Sequence, residues 1–153
     1  VCVLLFAGVV VVSSAMQIDG SMKNPEITSV QRERAAHLQN NGLTFGYATF
    51  WNANVVTELT DGDVEAVAVS IDANAQGQGV PHTSMWLEAT ADRRMERPDE
   101  PVFLMLTAQE SGQLSDFLAL SGAQKRWEQS GMTIYEIESQ RVFFETAQTM
   151  DAQ

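Results

Sequence analysis

The sequence predicts an α/β fold: a small three-layer, mostly parallel sheet with helices on both faces, preceded by an N-terminal transmembrane helix stub. Three observations carry this reading. Strand-like and helix-like segments alternate from residue 25 to residue 137, the pattern of parallel strands joined by helical crossovers. Two runs, VEAVAVSI (64–71) and VFLMLT (102–107), are nearly continuous in apolar residues, as strands covered on both faces are. The chain also opens on VCVLLFAGVVVV, residues 1–12, without a single charge.

That opening run is shorter than the about 20 apolar residues of a full span, and it begins at residue 1 without a methionine. The reading preferred here is the end of a transmembrane helix, residues 1–16, entered part-way along. A signal segment is the second reading, because Ser13 and Ala15 place small residues at a cleavage-like spacing. A buried core strand or helix is the third. Either of the first two puts the remaining chain on or beyond a membrane. The lone Lys23 after the run favours the non-cytoplasmic side.

Residues 17–24 form a polar linker ending in Asn24, a cap, with Pro25 at the first helical position. Ile27, Val30, Ala35 and Leu38 then recur at helical spacing, predicting a helix over 25–41 stopped at Gly42. Residues 44–48 (TFGYA) read as a short strand. Over 50–60, Phe50, Trp51, Val55, Val56 and Leu59 share one helical side, and Asp61-Gly62 ends the helix. A strand at 64–71 leads into a loop at 72–82 containing Gly77, Gly79 and Pro81. Residues 84–94 predict a helix with Met85, Leu87 and Ala91 partly inward. Pro98 and Pro101 break the chain before the strongest strand, 102–107. A helix at 112–120 resumes over 123–129. Residues 132–137 (MTIYEI) are a strand, and 141–145 (RVFFE) one more, in a hairpin turning at Ser139-Gln140. The soluble α/β domain is therefore residues 25–146, with a loose tail at 147–153.

The 153 residues suffice for one core. With 20 acidic against 9 basic residues the net charge is -11, which repels phosphate backbones and excludes nucleic acid as a partner. It also keeps a broad face of the domain off anionic lipid, so membrane contact runs through the N-terminal helix alone. The one cysteine, Cys2, allows no intrachain disulfide.

The densest chemical signal is GYATFWNANVVTELTDG, residues 46–62, joining the first predicted strand to a helix. In open α/β sheets ligands bind beyond the carboxyl ends of strands, at such junctions. This one carries Tyr47, Thr49, Trp51, Asn52 and Asn54. Aromatic faces stack on sugar rings, and amides pair with hydroxyls, so the candidate ligand is a neutral polar one such as a carbohydrate. The bland reading has Tyr47 and Trp51 packing the sheet and Asn52 capping the helix. The segment lacks the glycine spacing of a phosphate loop. His37 and His82 have no partner at ligand spacing, so no zinc site and no cofactor are expected. Asp61, Asp63 and Glu65 lack the glycine and closing glutamate of a calcium loop and read as a solvated turn. There is no G-x-S-x-G nucleophile motif.

GLTFGYATFWNANVVTELTDGDVEAVAV (42–69), MWLEA (85–89) and PVFLMLTAQE (101–110) together resemble the C-terminal extracytoplasmic region of large bacterial multipass membrane proteins. Those proteins are similar to glycosyltransferases that use polyprenyl-phosphate sugars, of the dolichyl-phosphate-mannose mannosyltransferase type. The most specific part is Tyr47-x-x-x-Trp51-Asn52-Ala53 with Thr57-Glu58-Leu59 after it. The resemblance implies a tail that follows the last transmembrane helix, extracytoplasmic (periplasmic or extracellular) and in contact with a glycan or lipid-linked sugar. It implies no catalytic residue here, because the catalytic acid of such enzymes sits in an early extracytoplasmic loop. Two rivals stand beside it: an exported or singly anchored non-catalytic carbohydrate- or ligand-binding module, and a small stand-alone hydrolase or transferase suggested only by the architecture.

Overall fold

In the computed structural model, residues 25–83 and 97–153 are described, with side chains from residue 29 onward. The expected membrane segment (1–16), the linker (17–24) and the expected helix at 84–94 lie outside these residues. No helix among the described residues is long and apolar enough to cross a membrane.

Helix α1 (Pro25–Asn40) runs into strand β1 (Phe45–Thr49), which passes without a loop into α2 (Phe50–Leu59). Asp61 and Gly62 end α2 with φ of 51° and 85°. The Gly62 amide reaches back to the Thr57 carbonyl at 3.0 Å, a closure that needs a left-handed residue after the helix. Strand β2 (Glu65–Ala73) follows, then β3 (Gly79–Thr83) and β4 (Val102–Thr107). Two short helices, α3 (Ala108–Gln113) and α4 (Ser115–Leu120), divide at Leu114 and replace the single expected helix 112–120. Strands β5 (Gln124–Gln129) and β6 (Met132–Ile137) and a final helix α5 (Gln140–Asp151) complete the described chain.

The six strands form one sheet in the order β3-β2-β1-β4-β6-β5. Strand β1 is parallel to β2 and β4, whereas β2–β3, β4–β6 and β5–β6 are antiparallel. The α/β class stands, but the mostly parallel sheet is corrected to a mixed one with a parallel centre and antiparallel flanks. The cause is short connections: the turns at 74–78 and 130–131 can join only antiparallel neighbours.

Four further expectations are overturned. The loop at 72–82 contains strand β3, which tolerates Pro81 because it is an edge strand that spares the missing N–H. The helix expected to resume over 123–129 is β5, the opposite edge, where only Trp127 is half-buried. The hairpin strand at 141–145 and the loose tail at 147–153 are both α5, which extends to Asp151. Phe143, Ala147 and Met150 are its buried stripe at helical spacing, and the Ser139 hydroxyl accepts from the Val142 amide at 3.2 Å to cap it.

Alternation along the strands divides the core between two faces. On the first, Tyr47, Leu104, Leu106 and Ile137 meet Leu114, Phe117, Phe143 and Met150 from α3–α4 and α5. On the second, Ala48, Phe103, Met105 and Ile134 meet Leu38 of α1 and Ala53 and Val56 of α2. Fully burying a large aliphatic or aromatic side chain contributes about 1.5–3 kcal/mol; α5 buries two, Phe143 and Met150, and α4 one, Phe117, while α3 buries none. The inward side of α2 is therefore Ala53 and Val56; Trp51 and Leu59, expected on the apolar side, face out.

Candidate functional site

Strands β1 and β4 lie side by side, parallel, with Ala48 opposite Met105. The same register places Thr49 beside Leu106, with the strands about 4.8 Å apart. Beyond that level the chains diverge: α2 turns onto the second face of the sheet and α3–α4 onto the first. Adjacent parallel strands whose helices leave to opposite faces define a topological switch point, where open α/β sheets hold their ligands. Its walls are the junctions 49–54 and 106–112.

Four of the five predicted residues meet on the first wall. Thr49 ends β1 and stands at the N-cap of α2 in extended conformation, yet its hydroxyl takes no bond from the helix backbone. It accepts instead from the Asn52 side-chain amide at 3.1 Å. The backbone donors of the first turn of α2 are thereby left without a side-chain cap. Trp51 is 79% exposed, with the Phe50 ring edge-on to it at 5.1 Å between centroids. Asn54 is exposed and follows Trp51 by three positions, so the two are neighbours on the helix surface.

Tyr47 is the exception and corrects the sequence reading. It is 1% exposed and points to the first face, opposite the one that carries α2. Its ring stacks on Phe143 at 4.1 Å, and its hydroxyl accepts from the buried Gln140 amide at 3.0 Å. Tyr47 is a core residue and belongs to no surface patch.

The second wall escaped the sequence reading. Thr107 and Glu110 form a reciprocal capping box: the Glu110 amide donates to the Thr107 hydroxyl at 3.2 Å, and the Thr107 amide to the Glu110 carboxylate at 2.7 Å. The Thr-x-x-Glu signature was present in the sequence. Gln109 is exposed on this turn. The buried Ser111 hydroxyl has no hydrogen-bond partner.

Elsewhere, Asp61 and Asp63 are exposed on the turn after α2, with the Gln39 amide donating to Asp63 at 3.3 Å, whereas Glu65 is half-buried at the start of β2. Among the described residues, no group of three or more His, Cys, Asp or Glu is placed to hold a metal. His37 lies on α1, its ring 5.9 Å from that of Trp127. His82 lies on β3, its Nε2 3.5 Å from Asp151. Compared with protein-family models, curated proteins and solved structures, the chain matches none.

Proposed function

We propose that this chain is the soluble extracytoplasmic domain of a membrane glycosyltransferase-like protein, a non-catalytic module that contacts glycan through Trp51, Thr49, Asn52 and Asn54. The observation that carries the reading is the 79% exposure of Trp51 at the carboxyl edge of the parallel strands. An indole left in water forgoes the burial that makes tryptophan stabilising, and its flat apolar face with amides beside it suits stacking on a sugar ring. Thr49 and Asn52 hold each other in place, so part of the patch is ordered before a ligand arrives. The attachment to a glycosyltransferase rests on the resemblance of residues 42–69, 85–89 and 101–110, and the membrane anchor on the apolar run 1–12.

Trp51→Ala and Asn52→Ala test the patch. Both variants are expected to fold and to lose glycan binding, measured by titration of oligosaccharides against the indole signals. A folded Trp51→Ala protein that binds as well as the parent removes Trp51 from the site. The Ser13-x-Ala15 pattern supports a second reading, an exported binding module. The coding sequence upstream of residue 1 separates the two: many further apolar helices favour the glycosyltransferase, a short basic start the exported module.

A further inference from the structure

Resting on that reading of the Trp51 patch, we infer that the switch point selects uncharged glycans and rejects phosphorylated sugars. The two walls, 49–54 and 106–112, contain no Lys, Arg or His, and their one charge is Glu110. Recognition of a phosphate calls for a cation or a cradle of glycine amides, and neither wall supplies one. Four described cations are engaged with carboxylates elsewhere: Lys125 with Glu128 at 2.8 Å, Arg126 with Glu136 at 2.9 Å, Arg141 with Asp99 at 2.8 Å and Arg97 with Glu100 at 3.8 Å.

The uncapped first turn of α2 is the one feature that draws an anion. A helix end supplies only about half a positive charge, and salt screens it. Against it stand the Glu110 carboxylate at the head of the neighbouring strand's helix and a net charge of -11. Repulsion therefore outweighs the helix end, and the Asn52 and Asn54 amides beside Trp51 serve sugar hydroxyls instead. A glycan already released from a phosphate carrier, or the sugar end of an acceptor, is the class of ligand this chemistry takes.

The test records the indole N–H resonances of the full chain, which has three tryptophans, and assigns that of Trp51 by its loss in Trp51→Ala. Neutral hexose and N-acetylhexosamine oligosaccharides are titrated beside the corresponding sugar 1-phosphates at low ionic strength. The expected result is a shift of the Trp51 signal by neutral sugars, with the 1-phosphates binding at least about tenfold more weakly. Sugar phosphates that bind equally well or better overturn the inference while leaving Trp51 as a glycan platform. If neither class moves the Trp51 signal, the platform reading fails along with it.

Discussion

Tyr47 and Phe143 stack face to face, ring centroids 4.1 Å apart and planes only 13° from parallel, tying the central strand β1 to the last helix α5. Ninety-three positions downstream of Tyr47, the Gln140 side-chain amide donates to the Tyr47 hydroxyl oxygen at 3.0 Å. The Gln140 side chain is fully buried, and its oxygen accepts from the Arg97 amide at 2.9 Å. One polar link thus fastens β1, the segment leading into β4 and the start of α5 inside an apolar layer.

Tyr47→Phe keeps the stack and removes the acceptor. The Gln140 nitrogen is then buried without its partner, which costs about 1–2 kcal/mol. A urea denaturation midpoint measures it, and a variant as stable as the parent would show that the bond contributes nothing.

Trp51→Ala is expected to change stability by less than about 0.5 kcal/mol, because the side chain is 79% exposed. A buried tryptophan truncated to alanine costs about 3–5 kcal/mol. Chemical denaturation separates these outcomes, and a large loss would place Trp51 in the structural core.

Gly46→Ala is expected to be among the most damaging single substitutions. Gly46 faces Phe103 across the β1–β4 ladder, and a Cβ there overlaps both the Phe103 carbonyl oxygen and its ring. The ring could turn but the carbonyl belongs to a central strand, so the strands must separate. The expected cost is about 3 kcal/mol or more, read from thermal or urea unfolding. Tolerance of alanine would mean the two strands yield more easily than a close-packed core does.

Thr107→Ala and Ser139→Ala remove the caps of α3 and α5. Each is expected to destabilise by about 1 kcal/mol. The two sites lie at opposite ends of the sheet, since Thr107 pairs with Met132 while Val102 pairs with Ile137. At about 17 Å along a six-residue strand, their effects should add to within about 0.5 kcal/mol in the double variant. Denaturation of the three variants checks this.

The candidate site was partly legible. The spacing Thr49-x-Trp51-Asn52-x-Asn54 at a strand-to-helix junction marked one wall, and these residues do run from the end of β1 into the first half of α2. Tyr47 could not be sorted from them, because its face depends on strand parity relative to Gly46 and Ala48, which sequence proximity to Trp51 obscures. The second wall needed the register of β1 against β4, a contact between residues more than fifty positions apart.

The sequence by itself determined the elements whose apolar pattern is strong: α1, β1, α2, β2, β4 and β6 lie where spacing places them, since hydrophobic periodicity is a local property. Tertiary structure decided the rest. Strand β5 (QKRWEQ) is exposed and charged because it is an edge, paired only with β6, and nothing local distinguishes such a strand from a solvated helix. Residues 141–145 are helical because Phe143, Ala147 and Met150 must together cover the first face of the sheet, a demand that three consecutive apolar residues cannot express alone. The antiparallel outer pairs β2–β3 and β5–β6 were likewise set by short turns and the parallel pair β1–β2 by a helical crossover, and the switch point between β1 and β4 follows from that strand order.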